Sequence, residues 1–367
     1  MTDRVVFAPG RVNLIGEHTD YSGGLVLAVA VDLGVTVAWG PAADAIRLRS
    51  LAFPETVELR SDGAPTSQLA GWGRYVAAVA QLLHERGRPP VGLEATVDST
   101  VPIGAGLSSS AALIVGVGLA LCRASDFDLP PLELARLAQT AEHRAVGVPC
   151  GLMDPATSLL GRHGYALLLD CETEEHRYVP LPLGVGIVVI DSGVRRQLER
   201  SGYADRRAEL ERGLAAIGRA RPKSLTPAEA ESEARAAGVD DVAARRIRHV
   251  VSENDRVRRC VAALEQPGGA DLATLGDVFR EGHESLRNDF EVSIPELDLL
   301  VDLAYECGAI GARMMGGGFG GSIVALAESE AARSLVDAVS AAYAKRTGRE
   351  PAGYICRSVE GAADDAT

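Results

Sequence analysis

The stretch Val101-Pro102-Ile103-Gly104-Ala105-Gly106-Leu107-Ser108-Ser109-Ser110-Ala111-Ala112-Leu113 constrains the fold of this chain more than any other. It follows an alternating, β-branched run from Leu93 to Val101 that predicts a strand. It opens an apolar run from Ala111 to Leu121 that predicts a buried helix. Gly104 and Gly106 let the backbone turn sharply between the two and let a ligand come close. The serines add hydroxyls, and the first helical turn leaves N–H groups without intrahelical partners. Partial positive charge at that end suits an anionic phosphate without help from a lysine. A serine-rich N-cap on an ordinary helix accounts for this stretch equally well, so the other motifs decide.

A chain of 367 residues has room for roughly two ordinary domains. With 47% hydrophobic and 24% charged residues and no membrane-like span, it reads as globular. Met1-Thr-Asp-Arg leads straight into a strand-like run with no export pattern, so a cytoplasmic location is expected. The six cysteines lack any C-x-x-C pair, which predicts reduced structural thiols. A net charge of −13 argues against nucleic acid or an anionic membrane as a partner, and leaves local features to hold any polyphosphate. Lys223 and Lys345 are the only lysines, and neither lies near a glycine-rich loop. The P-loop pattern and the protein-kinase motif set are both missing. Phosphoryl chemistry here would rest on a helix dipole, hydroxyls, arginine and a divalent ion.

Arg4 to Ala8 predicts a strand ending at Pro9-Gly10, followed by a polar loop from Gly10 to Gly24. Within that loop Glu17, His18, Thr19 and Asp20 put two carboxylates, an imidazole and a hydroxyl in adjacent positions. Such a group can bind several hydroxyls of a sugar, or oxygens around a metal, although the spacing is unlike zinc patterns. A solvated turn is the bland alternative. Helical periodicity from Gly71 to Gly87 places Trp72 and Tyr75 three apart, able to flank an adenine ring or simply to pack in the core. Glu142, on a helix from Leu132 to Val146, reads locally as a surface carboxylate beside His143 or Arg144. Asp154 reads as an N-cap for a short helix from Pro155, or as a general base.

A β-richer first domain is expected to close near Pro180 to Gly184, with helices dominating from Thr226 to Cys307. The final glycine loop, Gly311 to Gly321, contains G-x-G-x-x-G at Gly316, Gly318 and Gly321. It enters a strand rather than a helix, which excludes a dinucleotide fingerprint and leaves a backbone that something approaches closely. The tail from Gly361 is expected to be disordered.

Three such loops in this order resemble the GHMP kinase superfamily and, within it, the galactokinase family. Gly10-Arg-Val-Asn-Leu-Ile-Gly-Glu-His-Thr-Asp-Tyr-Ser-Gly-Gly24 is similar to the galactokinase signature, and Pro102 to Ala112 to the superfamily's phosphate loop. Gly316 to Gly321 resembles its third motif, and Leu286 to Asp298 another galactokinase stretch. The resemblance implies a two-domain α+β fold: residues 1–182, like ribosomal protein S5 domain 2, and residues 183–367, ferredoxin-like, with the active site in the cleft between. It implies ATP-dependent phosphorylation of D-galactose to α-D-galactose 1-phosphate in Leloir-pathway galactose metabolism, with Mg²⁺.

By the same resemblance Asp154 is the catalytic base and Arg11 its partner. Glu17, His18, Thr19 and Asp20 would hold the sugar, helped by Gly151 and Tyr203. Gly104, Ala105, Gly106, Leu107, Ser108, Ser109 and Ser110 would wrap the triphosphate, with Trp72 and Tyr75 at the nucleotide and Ser110 and Glu142 as oxygen ligands to Mg²⁺. D-galactose and ATP are the expected partners of a monomer or weak homodimer. Pro155, Met315 and Ala28 depart from residues usual in the family. Two rivals remain: a kinase for a related sugar, and a sensor that binds sugar and ATP but signals to a protein.

Overall fold

The computed structural model describes residues 4–69, 71–102, 104–147, 150–195, 199–219 and 221–364. Strand β1 (Arg4–Ile15) does not end at Pro9-Gly10 as expected but runs on to Ile15, antiparallel to β2 (Leu25–Ala42). A register shift between Pro9 and Gly10 absorbs the proline, which has no N–H for the ladder. Every residue from Ala8 to Ile15 is buried. Burial on both faces erases the polar alternation by which a strand is recognised.

The first half continues with β3 (Ala45–Ser50), β4 (Thr56–Arg60), α1 (Gly73–Glu85), β5 (Gly92–Ser99), α2 (Ser109–Ala124), α3 (Pro131–Val146), α4 (Met153–Leu160), β6 (Tyr165–Asp170) and β7 (His176–Pro180). Strands pair in the order β1-β2-β5-β3-β4, with β6 on β2 and β7 on β6. The apolar α2 lies on β1 and β2 and is flanked by α1, α3 and α4. Apolar residues all round that helix suit burial on every side.

The second half comprises β8 (Val185–Asp191), α5 (Glu199–Ala216), α6 (Pro227–Ala236), α7 (Asp241–Leu264), α8 (Leu272–Asn288), α9 (Pro295–Glu306), β9 (Gly311–Met315), β10 (Ser322–Glu328), α10 (Ala332–Thr347), β11 (Ala352–Cys356) and β12 (Ala363–Asp364). Its antiparallel sheet has the order β11-β8-β10-β9, the ferredoxin-like arrangement in which helices connect β8 to β9 and β10 to β11. The fold is therefore α+β in two halves. Side chains cap the helices where the sequence supplies them: Asp240 accepts from Ala243 N–H at 2.9 Å and Asp271 from Thr274 N–H at 3.1 Å.

Two expectations are corrected. Gly311–Met315 is a fully buried strand, so only Gly316 to Gly321 forms the glycine loop, as the turn of a β9–β10 hairpin. Of the tail expected to be disordered, Gly361 to Asp364 is ordered, and residues 365–367 lie outside the described residues. Gly361 N–H donates to Gly161 O at 2.8 Å, Ala362 N–H to Ser158 O at 2.7 Å, and β12 pairs with β1 in the first sheet. Backbone pairing holds this segment despite its weakly apolar composition.

Separate cores fill the two halves, and a third joins them: Val12, Leu14 and Ile15 pack with Val257, Phe279 and Val324. Among the described residues, no helix is long and apolar enough to cross a membrane.

Candidate active site

A cleft of about 550 Å³ opens where the end of β1, the loop before α2, the start of α4 and the glycine hairpin converge. It gathers Arg11, Glu17, His18, Asp20, Tyr75, Gly104, Gly106, Leu107, Ser108, Ser109, Ser110, Glu142, Gly151, Asp154 and Tyr203. Three expected residues are not on its wall. Trp72 packs in the first core, while Tyr75, one helical turn away, reaches the cleft. Thr19 is buried, with its hydroxyl 2.8 Å from both Gly16 O and Leu25 O, so it closes the turn instead of meeting a ligand. Ala105 is buried and its carbonyl accepts from the Ser322 hydroxyl at 2.7 Å, which ties the loop to β10.

Gly104 and Gly106 have φ of 81° and 74°, as the turn required, and Ser108 has 60°. Ser108 is the N-cap of α2 but makes no side-chain capping bond. Its hydroxyl donates to Asp154 Oδ2 instead. The N-terminus of α2 therefore has no side-chain cap from Ser108, and its first N–H groups face the cleft side of the loop without one. The Ser110 hydroxyl donates to Glu142 Oε1 at 2.5 Å.

Asp154 is not an N-cap: Leu152 holds that position and Asp154 lies in the first turn of α4. The α4 start aims its carboxylate at Arg11, whose Nε donates to Oδ1 at 2.7 Å and Nη2 to Oδ2 at 2.9 Å. The remaining Nη1 donates to Gly106 O at 2.5 Å, so one guanidinium clamps the acid to the phosphate loop. Burial opposes the charge on Arg11, but Asp154, Glu17 and Asp20 outweigh it and push its pKa above the ordinary value. Pro155 follows Asp154 within the first helical turn, where an N–H has no intrahelical partner, so the proline removes nothing the helix uses. Met315 and Ala28 are fully buried and do not line the cleft.

The turn after β1 supplies the second wall. Glu17 Oε2 accepts from Asn13 Nδ2 at 2.8 Å, and Oε1 from Gly316 N–H at 2.7 Å. Burial raises Glu17 while Arg313, the Gly316 N–H and Arg11 pull it back. Asp20 is pushed up to about 7 by burial, with Asp154 and Glu17 adding to the rise. A Cβ at Gly151 would land on the Asp20 carboxylate, so only glycine leaves that acid in place. His18 Nδ1 lies 3.0 Å from the Tyr21 hydroxyl, and its ring packs on Phe290 with centroids 4.4 Å apart. Tyr203 lies 5.6 Å from the same ring.

The sequence reading gave these partners no role, and Glu253 lies outside every motif it singled out. Asn13, Glu253, Phe290 and Arg313 all support the sugar-signature turn, and Phe319 lines the cleft. Asn13, Phe290, Arg313 and Phe319 lie inside the motifs read there, whereas Glu253 looks like an ordinary helix residue.

Glu142 is mostly buried, which raises its pKa, and it accepts from Ser110 and from the Cys150 thiol at 3.3 Å. Among the described residues it has no ion-pair partner, and Arg144 pairs instead with Glu85 at 2.7 Å. A carboxylate with a neighbouring hydroxyl and no cation fits a hard divalent ion. Among the described residues no three His, Cys, Asp or Glu side chains form a metal cage, so such an ion would take its other ligands from phosphate and water.

Comparison with known proteins agrees with this geometry. Residues 74–162 match the GHMP kinases N terminal domain, 242–345 the GHMP kinases C terminal domain, and 2–41 the galactokinase galactose-binding signature. The chain is 42% identical to a galactokinase of Chloroflexus aggregans, over 98% of this chain and 92% of that protein. A galactokinase of Chloroflexus aurantiacus is 41% identical over the same shares. The crystal structure of Lactococcus lactis galactokinase complexed with galactose superposes with a TM-score of 0.92 at 31% identity, covering 98% of this chain and 94% of that one. The chain belongs to the galactokinase family of the GHMP kinases.

Proposed function

We infer that the protein transfers the γ-phosphoryl group of ATP to the C1 hydroxyl of D-galactose, giving α-D-galactose 1-phosphate and ADP. One observation carries the reading: Arg11 binds Asp154 through two nitrogens and Gly106 of the phosphate loop through the third, at the point where that loop meets the sugar-signature turn. The relatives named galactokinase support the choice of sugar.

In the reaction the C1 oxygen attacks the γ-phosphorus, the bond to the ADP oxygen breaks, and the hydroxyl proton passes to Asp154. Galactose displaces the Ser108 hydroxyl from Asp154 Oδ2 as the acceptor's donor. Arg11 fixes the plane of the carboxylate and places positive charge beside the moving group. The α2 N-terminus and the backbone of Gly104 to Ser110 hold the phosphates, Asp20, Glu17, His18 and Tyr203 the sugar hydroxyls, and Tyr75 the nucleotide side of the cleft. Mg²⁺, held by Ser110 and Glu142, would neutralise phosphate charge. We assign the sugar turn and phosphate loop to an N-terminal domain of residues 1–182, closed by a second domain of residues 183–367, in a cytoplasmic monomer or weak homodimer.

The test is ADP release with Mg²⁺-ATP over galactose, N-acetylgalactosamine, glucose, mannose and arabinose. Turnover led by galactose is expected. Turnover on another sugar alone replaces the substrate, and silence on every sugar with galactose binding retained replaces the kinase with a sensor.

Asp20 predicts a pH dependence. Its pKa of about 7 means that the acid is largely neutral below that value. Sugar hydroxyls donate best to the anion, so galactose binding tightens as pH rises through about 7, by at most about tenfold per pH unit. Stability moves the other way. A carboxyl whose folded pKa is raised contributes stability fully below its unfolded value, and loses it as pH rises through the folded one. Calorimetric titration of galactose at pH about 6 and about 8 checks this; Asp20→Asn should flatten the dependence, and an unchanged slope in that variant assigns the titration elsewhere.

A further inference from the structure

The sugar-signature turn belongs to the first sheet by sequence, yet the second half holds its backbone. We propose that Glu253, with Asn254 and Arg313, is a positioning residue for the sugar site, fixing the turn from Gly16 to Leu25 so that Glu17, His18 and Asp20 meet galactose in one geometry. The proposal rests on the galactose reading of the cleft.

Glu253 is fully buried on α7, and its Oε1 accepts from two successive backbone N–H groups, Gly16 at 2.9 Å and Glu17 at 3.1 Å. Successive N–H groups form a concavity that takes an anion, and here the protein supplies that anion itself. Oε2 accepts from Arg256 Nε at 2.7 Å. The next residue, Asn254, accepts from Leu25 N–H at 2.8 Å and anchors its own amide on Val250 O at 2.7 Å. One turn earlier, His249 Nε2 lies 3.1 Å from Glu17 O. Three side chains from one helix therefore engage both ends of the turn.

Arg313 completes the frame from β9. Nη1 donates to Leu14 O at 2.8 Å, and Nη2 lies 3.6 Å from both Glu17 Oε1 and Glu253 Oε1. Two buried carboxylates thus share one guanidinium, and Glu17, which lines the cleft, is charge-coupled to Glu253, which does not. Burial opposes the charge on Glu253, but Arg256 and Arg313 outweigh it and hold its pKa at about 2. None of these three residues is a wall of the cleft, so their effect on sugar binding is indirect.

The experiment measures galactose and ATP KM, kcat and thermal midpoint for Glu253→Gln, Glu253→Ala and Asn254→Ala. Wild-type turnover on galactose tests the functional reading, and variant-to-wild-type ratios test this inference. Glu253→Ala leaves two buried N–H groups unpaired and should raise galactose KM about tenfold or more with ATP KM within about twofold. Glu253→Gln keeps an oxygen for those N–H groups but removes the anion that Arg256 and Arg313 share, so it should raise galactose KM less than Glu253→Ala, by about threefold. Asn254→Ala removes no charge and should raise galactose KM about threefold. If Glu253→Ala gives no folded protein, the other two variants decide. Galactose KM unchanged in Asn254→Ala and Glu253→Gln, or galactose and ATP KM rising together in folded variants, overturns the proposal.

Discussion

Asp154→Ala is expected to lower kcat by about 10³-fold or more while galactose and ATP still bind, a loss on the scale of removing a general base together with the positioning it provides. The structure gives Asp154 few duties besides this one. It is partly exposed on the cleft, and its two oxygens face Arg11 and the Ser108 hydroxyl. Asp154→Asn separates the two contributions, since an amide keeps the shape and can still orient a hydroxyl but cannot accept its proton usefully. Equal losses in both variants assign the effect to proton acceptance. A much milder Asn variant assigns it to positioning, and kcat within about tenfold of wild type in Ala would remove Asp154 from the mechanism. Single-turnover measurements with isothermal titration of galactose keep binding and chemistry apart.

Arg11→Lys is expected to cost about 10²–10³-fold in kcat/KM despite keeping the charge, because an ammonium cannot span Asp154 Oδ1, Oδ2 and Gly106 O together. Arg11→Met should be worse in a second way. Arg11 lowers the pKa of both Glu17 and Asp20, so its loss lets these two cleft carboxyls take up protons more readily, and galactose binding is expected to weaken as well as chemistry. It also leaves Asp154 without its partner in a partly buried place, so the thermal midpoint should fall. Steady-state kinetics with a thermal melt distinguish the cases. A Lys variant at wild-type kcat/KM would reduce Arg11 to a point charge.

Much of this was legible in one dimension because the chemistry sits on local motifs. The Gly104-to-Ser110 turn was legible as a glycine turn followed by hydroxyls and a helix start, all within one short segment, and both glycines take positive φ. Glu17, His18 and Asp20 were legible as a polar cluster for the same reason, and all three line the cleft. Trp72 and Tyr75 were not separable, because spacing places both on one helix while only packing tells that Trp72 joins the core and Tyr75 the cleft. Asp154 likewise fits a cap or a base by sequence; the helix begins earlier, at Met153, and that frees the carboxylate for Arg11. β1 was cut short because periodicity fails for a strand buried on both faces.

Side-chain type, glycine placement and short-range order sufficed for the class of fold, the signature turn after β1, the glycine-serine turn before α2 and the family. Which of those residues meet depends on long-range packing. Arg11 and Asp154 are 143 positions apart, and Glu17 and Glu253 are 236 apart. Contacts across such separations depend on how two sheets and a shared apolar core dock the halves together, and no local pattern encodes that docking.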